Sequence, residues 1–138
     1  MEKQRVFVGP AVAVFKGGRV LLGRTNTVGK GKWCFSGGAV EPGERAAEAA
    51  KRELKEEAGL DALELEFTGY VDTPYPPSQF WLTLFFRCSN FAGEVSTPEP
   101  HKNDGRSWFA KGALPSPLFG HTQAAFEKKL GLEGLSHA

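Results

Sequence analysis

The segment from Gly38 to Leu60, GAVEPGERAAEAAKRELKEEAGL, constrains the fold of this chain more than any other. Pro42 and Gly43 indicate a turn, and the alanine-rich run that follows favours about four turns of helix. Gly59 stands where helices commonly end on a residue with positive φ. The segment therefore predicts a loop, a helix and a defined helix end, and the rest of the chain must fold around them.

The predicted helix has two neighbouring faces of different character. At 100° per residue, small and aliphatic side chains form a narrow stripe suited to packing on a sheet. The members of this apolar stripe are Ala47, Ala50, Leu54 and Ala58. Glu53, Glu56 and Glu57 share the adjacent arc, where like charges destabilise an isolated helix unless something compensates, such as a divalent cation. Charge spacing alone leaves open an ordinary solvated acidic face.

The same segment resembles the Nudix box, in which glycines, glutamates, an arginine and aliphatic residues recur at fixed spacing. The matching residues are Gly38, Glu44, Arg52, Glu53, Leu54, Glu56, Glu57, Gly59 and Leu60. So many specified residues at fixed spacing are a far more specific signal than a lone glycine-rich loop. The chain thus resembles the Nudix hydrolase family, and within it the nucleoside triphosphate pyrophosphatase members.

This resemblance implies an α+β fold, a Nudix-type α/β/α sandwich with a mixed sheet, in which the catalytic helix follows the glycine-rich loop. A length of 138 residues suits one domain, so we expect residues 1–138 to form a single Nudix domain. The net charge of +1 gives no argument for nucleic acid or membrane partners. Without a leader or a long apolar run, we expect a cytoplasmic protein. Cys34 and Cys88 lack metal-binding spacing and are expected to be buried free thiols.

Hydrophobic periodicity predicts five strands and a second helix. The predicted strands are Val6–Phe15, Arg19–Arg24, Leu63–Val71, Gln79–Cys88 and Arg106–Ala110, and the helix is Gly120–Leu130. The segment Gln79–Cys88 is apolar on both faces, which is typical of a central strand. The prolines within Asp72–Ser78 predict a stiff loop, and the polar segment 89–104 predicts a long functional loop.

The family resemblance implies a cation site on the helix. Glu53 and Glu57 would be the main metal ligands, Glu56 a ligand or base, and the carbonyl of Gly38 would complete the shell. Mg²⁺, with Mn²⁺ as the alternative, prefers carboxylate and phosphate oxygens of this kind.

Other residues of the resemblance have supporting roles. Arg52 would orient a glutamate, and Glu44 would lock the loop to the helix, so both count among the catalytic residues with the three glutamates. The general base would come either from the box or from a late loop. The carboxylates of that loop are Glu94, Glu99 and Asp104. His101 stands where related proteins carry a glutamate in E-P-E-K, and we expect His101, His121 and His137 to be incidental.

The resemblance also bears on the substrate. The segments VLLGR, GKGKW and DGRSWFAKGALPSPLF resemble members that act on nucleoside triphosphates, whereas Pro74 stands where members that cleave ADP-ribose often have proline. Lysine side chains can reach phosphates. Aromatic side chains can stack on a base, although Tyr75, Phe80 and Trp81 would also suit the core or its rim. The predicted substrate-binding residues are Lys30, Lys32, Tyr75, Phe80 and Glu99.

We therefore expect Mg²⁺-dependent hydrolysis of a nucleoside diphosphate linked to a further group, above all of a triphosphate to monophosphate and pyrophosphate. The alternatives are an ADP-ribose or nucleotide-sugar pyrophosphatase and a non-catalytic nucleotide-binding regulator. The expected partner is a small nucleotide rather than nucleic acid or membrane, and the family resemblance allows a homodimer.

Overall fold

The computed structural model describes residues 5–26, 30–75 and 78–130. Within these residues the strands are β1 (Arg5–Lys16), β2 (Arg19–Thr25), β3 (Trp33–Cys34), β4 (Ser36–Gly37), β5 (Asp61–Tyr75), β6 (Gln79–Ala92) and β7 (Asn103–Phe109). The helices are α1 (Ala46–Ala58) and α2 (Gly120–Lys128), with a short 3-10 turn at Lys111–Ala113. No helix among the described residues is long and apolar enough to cross a membrane.

The strands form a mixed sheet whose main order is β3-β2-β1-β6-β5. Strands β1 and β6 are parallel, and the other pairs are antiparallel, with β4 joined to β1 and β7 joined to β2. Strand β6 lies between β1 and β5, so the expectation of a central strand over this apolar segment is confirmed.

The alternation of side chains along β1 divides the core into two layers. Ala11, Ala13 and Phe15 belong to the cluster that includes Ala125 of α2. Val12 and Val14 belong to the other cluster, which includes three residues of α1. Because successive strand residues point to opposite faces, the helices cover opposite sides of β1, and the expected α/β/α sandwich is confirmed.

Helix α1 buries a wider arc than the stripe predicted for it. Ala50, Leu54 and Ala58 are buried as expected, but Ala47 is exposed and Ala49 is buried instead. The buried arc extends to Ala49 because the glycine-rich loop covers that side of the helix, where Gly37 bonds to Glu57 and the Ala39 carbonyl bonds to Arg52. The helix ends at Gly59 with φ of 74°, which confirms the expected left-handed residue.

Two loop predictions were wrong. Strand β5 continues to Tyr75, so residues 72–75 are strand, and Pro74 pairs with Phe80. This proline is tolerated because β5 is an edge strand, where a missing N–H need not break a ladder. Strand β6 continues to Ala92 and β7 begins at Asn103, which shortens the polar loop to residues 93–102. Pro76 and Pro77 lie outside the described residues.

Candidate active site

One cleft of about 370 Å³ brings together four of the predicted site residues, Gly38, Glu53, Glu57 and Glu99. Its acidic wall consists of the glycine-rich loop and two carboxylates of α1. The residues of the acidic wall are Gly37, Gly38, Glu53 and Glu57. Its aromatic wall comes from strand and loop residues and from the first turn of α2. The residues of the aromatic wall are Phe35, Trp81, Phe119 and His121.

The glycine-rich loop lies directly against the two carboxylates. The backbone N–H of Gly37 donates to Oε1 of Glu57 at 2.7 Å. A Cβ built on Gly38 would lie 2.5 Å from Oε1 of Glu53, so the carboxylate occupies the space that a side chain would need. The loop therefore fixes the positions of both acidic groups.

Burial makes these carboxylates difficult to ionise. It raises the pKa of Glu57 to about 8, and the charge of Glu53 contributes to the shift, which the Gly37 N–H opposes. Burial also raises the pKa of Glu53, although Arg52 opposes that shift. A cation between or beside two such carboxylates lowers the free-energy cost of ionising them.

Arg52 joins the loop to the helix. Its Nε and Nη2 donate to the two carboxylate oxygens of Glu44 at 2.7 and 3.0 Å, and its Nη1 donates to Glu53 at 2.8 Å. Its Nη2 also donates to the Ala39 carbonyl at 2.9 Å. The bond from Arg52 holds the pKa of Glu44 below its usual range, and Glu44 also accepts the N–H of Glu41. This planar fork ties both carboxylates to the backbone of the loop.

The donor set suits a hard divalent cation. Among the described residues, no three His, Cys, Asp or Glu side chains form a ready metal cage. The cleft nevertheless offers the carboxylates of Glu53 and Glu57 next to Gly38, and Mg²⁺ is commonly held by one or two carboxylates together with substrate phosphates. Glu56 is exposed, accepts a bond from Arg52 at 3.3 Å and is not among the cleft residues.

Gly9 of β1 allows the glycine-rich loop to lie directly against this strand. A Cβ at this position would collide with the Gly38 carbonyl oxygen and lie 2.7 Å from its carbon. We expect Gly9→Ala to displace that carbonyl and to lower turnover about 100-fold, the usual cost of misplacing a site by about 1 Å. The matched control is Gly105→Ala, because a Cβ there meets nothing within 4 Å. Equal activity of the two variants, assayed side by side, would contradict this role.

The late loop contributes one carboxylate to the cleft. Glu99 lines it together with Lys102, and the Lys102 Nζ lies 3.5 Å from Oε2 of Glu99. Asp104 instead pairs with Arg24 at 2.8 Å. Glu94 and His101 are exposed and are not cleft residues. Of the three late-loop carboxylates considered, Glu99 is the one that the fold brings to the site.

The other predicted substrate-binding residues with described side chains do not line the cleft. Phe80 does not line the cleft, but Trp81 does, because neighbouring residues of β6 point to opposite faces. Lys30 and Lys32 are exposed and are not cleft residues, whereas Lys102 is. The side chain of Tyr75 lies outside the described part of the structure.

Several cleft residues were not among the predicted site residues. They are Pro10, Thr25, Cys34, Phe35, Gly37, Gln79, Trp81, Thr83, Lys102, Asn103, Phe119 and His121. Most carried no sequence signal, because they belong to separate strands and to the first turn of α2, which only the tertiary fold brings together. Trp81 was identifiable as a possible stacking residue, and Lys102 by its place in the Glu-Pro-His-Lys segment.

Both cysteines are free thiols, as predicted; Cys88 is buried, whereas Cys34 is only partly buried and lines the cleft. Strand β3 is only two residues long, and it brings Cys34 to the cleft wall rather than to the core. Burial and the neighbouring Glu57 raise the pKa of Cys34 to about 12, so its thiol stays protonated at neutral pH. A protonated thiol is a poor nucleophile.

His121 was expected to be incidental, but it lines the cleft. Its ring centroid lies 4.9 Å from that of Phe119 and 5.9 Å from that of Phe85. Its Nδ1 lies 3.2 Å from the Thr122 hydroxyl, which accepts the N–H of Phe35. Burial lowers the pKa of His121 from 6.5 to about 4, so the ring is neutral near pH 7.

This histidine should make stability depend on pH. Because the folded state disfavours the imidazolium, the unfolded chain binds more protons between pH 4 and 6.5. The contribution of the neutral ring is complete above pH 6.5 and is lost as the pH falls towards 4. Between pH 7 and 4.5 we expect the wild type to lose about 2 kcal/mol more unfolding free energy than His121→Gln, measured by urea denaturation. Parallel pH profiles would contradict the assignment.

Comparison with solved structures agrees with the architecture. The MutT NUDIX hydrolase from Burkholderia pseudomallei superposes with a TM-score of 0.87 at 29% identity, over 90% of this chain and 98% of that one. The MutT protein from Methanosarcina mazei has a TM-score of 0.79 over 93% of this chain and 94% of that one. At 22% identity, the second likeness bears on the fold alone.

Sequence relatives carry two different names. The NAD-capped RNA hydrolase NudC of Pseudomonas aeruginosa is 34% identical over 104 residues, which cover 75% of this chain and 36% of that protein. The oxidized purine nucleoside triphosphate hydrolase of Danio rerio is 34% identical over 106 residues, covering 75% of this chain and 66% of that protein. The chain thus spans little more than a third of the NudC length.

The family model for the NUDIX domain matches residues 6–129, nearly the whole described chain. This match includes the nine box residues, both core layers and every wall of the cleft. The resemblance found in the sequence is therefore confirmed, and the chain belongs to the NUDIX family.

Proposed function

We propose that this chain hydrolyses a nucleoside triphosphate to a monophosphate and pyrophosphate, with Mg²⁺ as the cation and Mn²⁺ as a substitute. The observation that carries the proposal is a single cleft with an acidic wall and an aromatic wall. Carboxylates suit a cation and its phosphates, and aromatic rings suit a base. The volume of about 370 Å³ suits a small molecule.

Each wall has a definite task in this proposal. Glu53 and Glu57, with the Gly38 carbonyl, would hold the cation, which would neutralise phosphate charge and acidify the attacking water. Arg52 keeps Glu53 and Glu44 in place through the bonds described above. Glu99 is within the cleft to accept a proton, and Lys102 to contact a phosphate.

The aromatic wall would orient the base. Trp81 is fixed by stacking on Phe7 at a centroid distance of 4.9 Å. Phe119 and His121 form a second aromatic contact in the same cleft. A ring held between such groups is removed from water and positioned relative to the acidic wall, which favours attack at one phosphorus.

A product assay tests the proposal. The purified protein is incubated with Mg²⁺ and a panel of canonical and oxidised deoxynucleoside triphosphates, ADP-ribose, dinucleotides and nucleotide-sugars. The expected products are monophosphate and pyrophosphate from at least one triphosphate, and a chelator should abolish them. Turnover of other substrates with none of any triphosphate would overturn the proposal. Nucleotide binding by calorimetry without turnover would support a non-catalytic regulator instead.

A second candidate, cleavage of a dinucleotide or of ADP-ribose, is favoured by the NudC likeness and by Pro74 at the end of β5. The expected products are nicotinamide mononucleotide and AMP from NAD, or AMP and ribose phosphate from ADP-ribose. In that case the end of β5 and the start of β6 would determine specificity, because Pro74 pairs with Phe80 beside the cleft residues Gln79 and Trp81.

A further inference from the structure

Helix α1 covers only part of its side of the sheet. Val12 of β1 and Phe86 of β6 are paired in register and belong to the core cluster that includes residues of α1. Towards the first residues of both strands, side chains two positions apart continue on the same face. Val6 and Val8 therefore face the α1 side, yet they are 66% and 39% exposed. The helix stops short of this end of the sheet.

The uncovered area is apolar on β6 as well. In the parallel register of β1 and β6, Val6 lies beside Phe80. Val8 lies beside Leu82 in the same way, and both β6 side chains are partly exposed. Four apolar side chains on two neighbouring strands thus form one continuous surface.

Strand β5 extends this surface to the edge of the sheet. Its Tyr70 pairs with Leu84, which packs against the α1-side core, and its Phe67 pairs with Phe86 of that core. Because paired residues share a face, both rings lie on the α1 side, and each is more than half exposed. We call the complete surface the back patch, and its members are Val6, Val8, Phe67, Tyr70, Phe80 and Leu82.

The cleft does not account for the back patch, because the two lie on opposite faces of the sheet. The cleft residues of β6 are Gln79, Trp81 and Thr83, which alternate with Phe80 and Leu82. A substrate in the cleft would leave the back patch exposed to water. The patch therefore calls for a different partner.

The back patch is large enough for a stable interface. Phe67 and Tyr70 alone expose about 200 Å², since aromatic side chains present roughly 150–250 Å² each. The other four members bring the patch to the several hundred Å² at which exposed apolar surface marks an interaction site. A standard interface takes about 800 Å² from each partner, with a polar rim around such an apolar centre.

The charge at the back patch favours a protein partner over nucleic acid or an anionic membrane. Asp72 of β5, which pairs with Leu82, is exposed next to the patch. A carboxylate repels phosphate groups, and all six members of the patch are uncharged. Homodimer interfaces, by contrast, are more apolar than the rest of a protein surface.

The shape of this side of the molecule is complementary to itself. Helix α1 forms a step beside the back patch, and a helix with its side chains is about 10–12 Å thick. Two sheets packed face to face are also about 10 Å apart. A second sheet on the back patch would therefore lie level with α1, and a two-fold axis would place each helix beside the end of the other sheet. An isologous interface requires such self-complementarity.

We propose that the chain forms a homodimer in which two back patches pack on each other across a two-fold axis. Strands β1, β5 and β6 of the two copies form a sandwich with their apolar faces inside. Both clefts stay open, because each lies on the far side of its own sheet. The dimer is therefore independent of the substrate, and turnover per chain should not require it.

Sedimentation equilibrium of the purified protein tests the proposal. The wild type should have twice the mass of one chain at micromolar concentrations. Val6→Glu and Tyr70→Glu should each raise the dimer dissociation constant about 100-fold, because the two-fold axis buries the new carboxylate on both copies. Both side chains are exposed in a single copy, so each variant should give the wild-type circular dichroism spectrum and the wild-type turnover.

Leu63→Glu is the matched control. Leu63 is 55% exposed on the same strand and lies about 20 Å from Tyr70 along β5. This variant should remain dimeric. A monomeric wild type would overturn the proposal, and binding of that monomer to phosphatidylcholine vesicles would assign the back patch to a lipid surface instead. A dimer that persists in both patch variants, or that Leu63→Glu dissociates equally well, would overturn the assignment of the interface to the back patch.

Discussion

Glu57→Gln is expected to lower Mg²⁺-dependent turnover by about three orders of magnitude without disturbing the fold. The glutamine retains an oxygen that can accept the Gly37 N–H, now at 2.7 Å, so the contact between loop and helix persists. The variant loses the negative charge that would attract the cation. Because burial and Glu53 disfavour that charge, we expect the melting temperature to be unchanged or higher.

The matched control for this variant is Glu48→Gln. Glu48 lies on the same helix and is exposed, and it accepts the Arg45 N–H at 3.2 Å, a role that glutamine also fills. Both variants should give the wild-type circular dichroism spectrum, and the Glu48 variant should retain full activity. If Glu57→Gln turns over at a rate near that of the wild type, the carboxylate pair is not the cation site.

The features that sequence could predict are local ones. The turn at Pro42–Gly43, the helix and its end at Gly59 follow from propensity and backbone conformation over a few neighbouring residues. Glu53 and Glu57 are one helical turn apart, so their common position on the acidic wall follows from helix geometry. A central β6 could also be predicted, because burial on both faces is visible in the composition of the strand itself.

The features that sequence could not predict depend on distant contacts. Asn103 reaches the cleft through the register of β7 on β2, and His121 through the packing of α2 on the sheet. Neither belongs to a motif, and a single histidine or asparagine in a polar segment has no periodicity to reveal its surroundings. The late extension of β5 to Tyr75 was missed for the same reason, because pairing with β6 outweighed the low strand propensity of Pro74.

Arg52→Met is expected to lower both turnover and stability. Turnover should fall about 100-fold, because Glu53 loses the bond that orients it and the glycine-rich loop loses its attachment at the Ala39 carbonyl. The melting temperature should also fall. The side chains of Glu44 and Glu53 are only 15% and 13% exposed, and each would lose its charged partner.

Arg52→Lys separates charge from geometry. An ammonium supplies the same charge at one point but cannot bond both oxygens of Glu44 while also reaching Glu53 and the backbone. We therefore expect the lysine variant to recover part of the melting temperature and little of the turnover. Lys51→Met, which removes an exposed cation from the adjacent position of α1, should change neither quantity. Full activity in Arg52→Lys would mean that the positive charge alone is sufficient. Full activity in Arg52→Met would mean that Arg52 has no role in the site, because the loop and the helix would then hold Glu53 in place without the guanidinium.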